Sequence, residues 1–209
     1  MRGPFLDALQ RALRPEIVQR RVVDLSDDDS GQRVALRGSS SLDVLVLKPD
    51  DLPSEGMGPQ DRRFPFFDAQ AGKLTRCCDY LLFCQREPDR RGALFVLLAE
   101  LKRTHAAGSR AQIANGCLLA RWLLATVLHH ERATSPPREI LFRGVVFTHG
   151  RQYPKLTTGK SRLAYPAVKP EEIPGLRVAD LPFAPRGYAI DYLLNDCGDP
   201  PWDAAVVAR

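Results

Sequence analysis

The sequence predicts an α/β fold, a central mixed β-sheet flanked by helices, and three observations carry that expectation. Ala93 to Leu101 is a nearly unbroken apolar run of strand length, the signature of a central strand buried on both faces. A second apolar run, Tyr80-Leu81-Leu82-Phe83-Cys84, precedes it across a short polar stretch, so the two read as a β-hairpin. The segments then follow one another as helix, strands, hairpin, helix and strand, the order of a layered α/β sandwich. With 209 residues, 44 % hydrophobic and 26 % charged, the chain suits a single domain. The core is expected over about 34–150, with 151–209 as a proline-rich C-terminal extension packing on it.

Each element has a local reason. Phe5, Leu6, Leu9 and Leu13 recur at helical spacing behind Pro4, which predicts a short helix from Pro4 to Arg14. Pro15 to Leu25 reads as its continuation after a break, and Ser26 to Gly31 as an acidic loop. Val34–Leu36 and Leu42–Leu47 carry the β-branched and apolar residues of strands. Pro49 to Gln60, rich in proline, glycine and acids, reads as a surface loop. Arg86 to Gly92 forms the polar turn of the hairpin. Ser109-Arg110-Ala111-Gln112 matches a capping box, in which serine and glutamine satisfy unpaired amides of a helix's first turn. The helix that follows is apolar nearly all round, so it is expected to be sandwiched between layers. Pro136-Pro137 divides it from a strand over Ile140–Thr148. Beyond Gly150 the chain reads as irregular apart from Tyr188 to Leu194.

Composition excludes several classes. No N-terminal segment joins a basic start, an apolar run and a small-residue cleavage site. Ile113 to Leu128 is interrupted by Arg121 and reads as too short to cross a bilayer, so no membrane role is expected. Five cysteines, 77, 78, 84, 117 and 197, show no paired spacing and read as reduced thiols of a cytoplasmic protein, with Cys77-Cys78 as strand filler. The net charge of +5 is unevenly spread. Asp24 to Asp61 is acid-rich. Lys102 to His130 contains no carboxylate, and neither does Arg151 to Lys169, which holds Arg151, Lys155, Lys160, Arg162 and Lys169. Such basic stretches suit phosphate neutralisation on a polyanion or a solvated loop. Tyr153 and Tyr165 within the second stretch suit stacking on bases or packing of the loop.

One constellation carries chemistry. Asp79 opens the first hairpin strand, and Glu100-Leu101-Lys102 closes the second. Alternation puts Glu100 and Lys102 on one face and Leu101 on the other. A carboxylate and an ammonium ending a core strand need mutual pairing or a shared ligand. Two converging carboxylates suit an oxygen-loving divalent cation, and a neighbouring ammonium can hold water or stabilise a crowded phosphate. The competing reading is a plain salt bridge between Glu100 and Lys102 at a strand exit, with Asp79 capping the strand.

Asp79, the polar turn, Glu100-Leu101-Lys102 and a following helix with Gln112 in its first turn resemble the PD-(D/E)xK nuclease superfamily. The resemblance covers roughly Thr75 to Leu128, with Ile140–Thr148 as the next core element. It implies a restriction-endonuclease-like core: a helix, a three-strand meander, a helix and a fourth strand. It further implies that Asp79 and Glu100 bind Mg²⁺ or Mn²⁺, with the Leu101 carbonyl as a further ligand. Lys102 would orient or activate water, and Gln112 would be an accessory polar group. Cys78 stands where the pattern often has proline. Glu16, behind Pro15, is the candidate for an additional helical carboxylate.

The resemblance implies hydrolysis of DNA phosphodiesters, with RNA as the less favoured substrate. By analogy it also implies a bacterial defence role, as a homodimer or with a partner protein. The alternative is a nuclease-like fold without catalysis, serving nucleic-acid binding or assembly. Gln112 is equally explained as a helix cap. His105, Asp43 and Asp68 are weaker candidates read mainly as surface residues, and His129-His130 as groups answering the helix dipole. Arg103 and Arg110 flank the proposed site.

Overall fold

The computed structural model describes residues 4–13, 15, 18–20, 24–27, 31–49, 76–86, 92–103, 108–130, 136–149, 163, 165–166, 173–184 and 186–194. Its frame is a six-stranded mixed sheet in the order β1 (Val18–Arg20), β4 (Leu42–Leu47), β5 (Tyr80–Arg86), β6 (Ala93–Lys102), β7 (Glu139–Thr148) and β8 (Leu176–Pro182). Neighbours from β1 to β6 pair antiparallel, whereas β6, β7 and β8 run parallel. The helices α1 (Pro4–Ala12) and α2 (Ser109–His130) cover one face. The other face carries a three-stranded sheet of β2 (Asp24–Asp27), β3 (Gln32–Arg37) and β9 (Tyr188–Ala189), with the one-turn α3 (Ile190–Leu193) beside it.

Strand β6 shows why the layers form. Leu94, Val96 and Leu98 pack into the core beneath α1 and α2, while Phe95, Leu97, Ala99 and Leu101 pack into the core beneath the small sheet. Both faces of a central parallel strand must be covered, and its sequence is accordingly apolar without alternation. Each fully buried leucine or valine contributes roughly 1.5–3 kcal/mol. In α1, Phe5, Leu6, Ala8 and Leu9 supply the buried side and Pro4 stands at the helix start.

Helix α2 comes unusually close to the sheet at two glycines. A Cβ at Gly116 would stand 2.3 Å from Cys78 Sγ, and one at Gly144 of β7 would stand 2.6 Å from Ile113 Cγ2. Absence of both side chains lets the helix settle across β6, β7 and β8. α2 is long and apolar enough to cross a membrane by length and composition, yet it buries Ile113, Cys117, Ala120, Leu124 and Val127 against the sheet. Contrary to expectation it is not sandwiched. Leu118 and Trp122, one turn apart, face outward at 54 % and 60 % exposure because no layer lies beyond them among the described residues.

Other differences share one cause, long-range pairing overriding local propensity. The segment after Pro15 is not helical where described: Val18–Arg20 adds to β4, and β2 pairs with β3. Ser26 and Asp27, expected in a loop, belong to β2. The Tyr80 hydroxyl secures Ser26 there, accepting from its amide at 2.9 Å and donating to its carbonyl at 2.6 Å. Arg86 ends β5 rather than opening a turn. Cys77 and Cys78 precede β5 as buried core residues rather than filling a strand. Cys77, Cys78, Cys84 and Cys117 are free thiols, and Cys197 lies outside the described residues. Most important, Leu176–Pro182, expected to be irregular, is β8 of the central sheet.

Candidate active site

The hairpin register builds the site. Tyr80 pairs with Ala99, so one step outward Asp79 comes opposite Glu100. Two reciprocal hydrogen bonds close this end: the Asp79 amide donates to Glu100 Oε2 at 3.2 Å, and the Leu101 amide donates to Asp79 Oδ2 at 2.7 Å. Glu100 continues the row Leu94, Val96, Leu98 and therefore faces the α2 layer, as does Lys102. Leu101 turns to the other core. Within a strand the amide and carbonyl of one residue leave on the same edge, so the Leu101 carbonyl also departs toward Asp79. Asp79, Glu100, Lys102 and the Leu101 carbonyl are thus brought to one place.

Its electrostatics are strained. Glu100 is fully buried, while Asp79 is half-buried and the Lys102 side chain is 29 % exposed. Burial, followed by repulsion from Asp79, pushes the Glu100 carboxyl up to about 7. The Lys102 ammonium, 2.5 Å from Oε1, pulls in the opposite direction without overcoming them. Burial raises the neighbouring Cys78 thiol as well, with Cys77, Glu100 and Asp79 adding to the effect, so the floor of the site is a neutral thiol.

Gln112 is near this group without joining it. Its Nε2 donates to the Cys77 carbonyl at 3.3 Å, tying α2 to the segment that leads into Asp79. The expected capping box is not formed. Gly108, at φ +84°, takes the cap position and its carbonyl accepts from the Gln112 amide at 3.1 Å. Ser109 already lies in the first turn, and its hydroxyl has no hydrogen-bond partner.

Other candidates fall elsewhere. Asp43 pairs in register with Gln85, near the opposite end of β5 from Asp79. His129 and His130 end α2, about 30 Å from its start at 1.5 Å per residue, with their rings edge to face at 4.7 Å. Tyr165 is buried, donates to the Leu193 carbonyl at 2.9 Å and lies under the Arg143 guanidinium, so it packs rather than offers a stacking face. Arg103 is exposed beside Lys102. Glu16, Asp68, His105, Tyr153 and the basic residues Arg151, Lys155, Lys160, Arg162 and Lys169 lie outside the described residues.

The sequence reading missed two neighbours. Thr148 ends β7 in register with Lys102, and Asp180 of β8 stands in register with Val146, the partner of Glu100. Arg110 Nη2 of α2 approaches Asp180 Oδ2 at 3.6 Å. Thr148 was visible as the end of an expected strand, whereas Asp180 had no signal because its strand read as irregular.

Among the described residues no group of three or more histidines, cysteines or acids is gathered for a metal. The pair Asp79 and Glu100 nonetheless suits a hard divalent ion. Two carboxylates held together, one of them buried enough to resist ionising, gain most from a cation between them. The Leu101 carbonyl is oxygen of the same kind. Comparison of the chain with protein-family models, with curated protein sequences and with solved structures yields no match.

Proposed function

We propose that the protein is a metal-dependent nuclease of the PD-(D/E)xK type that hydrolyses phosphodiester bonds in DNA. The observation that carries this reading is the convergence of Asp79, Glu100 and a partly exposed Lys102 on one face at the open end of a hairpin. The succession α1, antiparallel meander β4-β5-β6, α2 and parallel β7 supports a restriction-endonuclease-like core. Asp79, Glu100 and the Leu101 carbonyl would hold Mg²⁺ or Mn²⁺. When bound, such an ion supplies Lewis acidity toward a phosphodiester oxygen and neutralises charge.

The protein's own groups do the rest. Glu100 ionises in company with its cation partner, since its proton is held only to about pH 7. Lys102, released from Glu100, has the reach and exposure to orient a water for attack and to stabilise the growing charge on phosphate. Gln112 fixes the backbone that presents Asp79. Arg103 and Arg110 at the rim suit contacts with flanking phosphates, which position a duplex without reading its sequence. Action as a homodimer, or with a partner protein in defence against foreign DNA, is part of the same proposal.

Purified protein incubated with plasmid and linear DNA, with and without Mg²⁺ or Mn²⁺, tests it. Metal-dependent cleavage is expected, and it should vanish in Glu100→Ala and Lys102→Ala. Cleavage surviving both substitutions overturns this mechanism. Matched RNA substrates decide the substrate class. A second reading, a non-catalytic binding or assembly subunit, draws on the internal closure of the site: Lys102 pairs with Glu100, and Asp79 accepts from Leu101. Calorimetric titration separates the two readings, because a scaffold takes up no Mg²⁺ and does not respond to Asp79→Ala.

A further inference from the structure

Buried polar atoms without partners are rare because each costs its desolvation energy, so a local concentration of them calls for an explanation. Two hydroxyls are of this kind, one on β7 beside the strand of Lys102 and one at the start of α2. Thr148, 3 % exposed, stands across the β6–β7 ladder from Lys102, and Ser109, 0 % exposed, opens α2. The hydroxyl oxygen of each is sealed and without a hydrogen-bond partner. Thr148 shares the α2 side of β7 with Phe142 and Val146. The contact between Arg110 and Asp180 draws the first turn of α2 toward the carboxyl end of β8, next to β7. Both hydroxyls therefore belong to the carboxyl edge of the parallel strands, where ligands of open α/β sheets bind.

We propose that Ser109 and Thr148 form a phosphate subsite, which holds non-bridging oxygens of a phosphodiester beside Lys102. The inference deepens the nuclease reading and rests on it for the identity of the substrate. The donors at this end of the sheet are two hydroxyls, the Lys102 ammonium, the Arg110 guanidinium and the first-turn amides of a 22-residue helix. Converging donors match an oxyanion. Of the acids nearby, Asp180 meets Arg110 through Oδ2 at 3.6 Å and Glu100 meets Lys102 through Oε1, and Asp180 Oδ1 is buried beside them. Lys102, long and partly exposed, is the side chain best placed to move and admit the ligand. A subsite of this kind also explains why the chain keeps two hydroxyls that apolar residues of the same shape would replace without loss of stability.

Thr148→Val, Thr148→Ser and Ser109→Ala test this. Thermal unfolding is followed against inorganic phosphate in metal-free buffer, with chloride at matched ionic strength as control, and DNA cleavage is assayed alongside. Phosphate is expected to raise the melting temperature of the wild type and of Thr148→Ser. In Thr148→Val and Ser109→Ala the apparent phosphate affinity should fall about tenfold or more, although both melt no lower than wild type in chloride. A wild type that phosphate does not stabilise overturns the subsite. So does a Thr148→Val variant that keeps both the phosphate response and wild-type cleavage. A phosphate response lost in Thr148→Val, in a chain that cleaves no DNA, keeps the subsite and discards the nuclease reading.

Discussion

The β5–β6 hairpin carries an ion pair at each end, and the two are built to opposite standards. Near the turn, Arg86 reaches Asp191 of α3 with Nη2 at 2.9 Å and Nε at 3.1 Å from the same Oδ1. Both side chains stay about one-third exposed, at 33 % and 35 %, so water still solvates each charge. The guanidinium also lies over the Phe95 ring. At the open end, Lys102 meets a Glu100 that has no exposure at all and that sits against a second carboxylate. An exposed pair is weakly stabilising and easily replaced. A buried acid beside another acid loses more hydration than one ammonium restores. Within one hairpin, then, one end holds a solvated pair, and the other holds a buried acid that a second acid opposes and a single ammonium offsets.

The contrast can be broken most decisively by activity. Lys102→Ala and Glu100→Gln should lower metal-dependent DNA cleavage by about 10²–10⁴-fold, the range for removal of a proton-transfer or charge-stabilising group. Arg86→Ala should leave it within about twofold, since its pair is remote from the reacting groups and solvated. Equal losses at both ends, read in a plasmid nicking assay, would erase the distinction.

Stability sharpens it. Gly116→Ala places a methyl against Cys78 on the floor of the open end, where 2.3 Å is available. Overpacking of this kind costs about 1–3 kcal/mol, visible as a lower denaturant midpoint at unchanged slope. A substitution that also adds one heavy atom at an outward position of α2, Ala111→Ser, should be near neutral.

A smaller effect separates the ends by pH. The Glu100 carboxyl titrates near 7 in the folded metal-free chain and near its ordinary 4.5 once unfolded. Between those values the folded chain keeps a proton that the unfolded chain releases, so Glu100's contribution is whole below about 4.5 and fades as pH rises through 7. Melting temperature should therefore decline over that interval in metal-free buffer, and Glu100→Gln should flatten the decline. An unchanged slope in the variant would assign the buried charge elsewhere. The smallest effect belongs to the exposed pair: Asp191→Asn should cost under about 1 kcal/mol and less in high salt, checked by urea unfolding.

How much of this was legible in the residues follows from the range of the forces involved. Strands β4, β5 and β6 were readable because each buries a run of consecutive apolar residues, and helix α2 because its apolar character extends to its end at His130. Asp79, Glu100 and Lys102 were readable as a set because hairpin geometry and strand alternation are local rules. Strand β8 was not, since Leu-Arg-Val-Ala-Asp-Leu-Pro carries weak local preference and is held by pairing with β7. Asp180 was hidden with it. The role of Gln112 depended on which residue took the cap position, and Gly108, not Ser109, did.

By itself the sequence determined the layered class, the hairpin and the shared side of Glu100 and Lys102, because periodicity and turn chemistry act over a few residues. Only the tertiary structure decided how far each group is cut off from water. The burial that lifts Glu100, the closing of Thr148 and Ser109 and the bareness of Trp122 all arise from the seating of α2 on the sheet. Desolvation depends on every atom within reach of a group, most of them distant in the chain, and no local pattern encodes it.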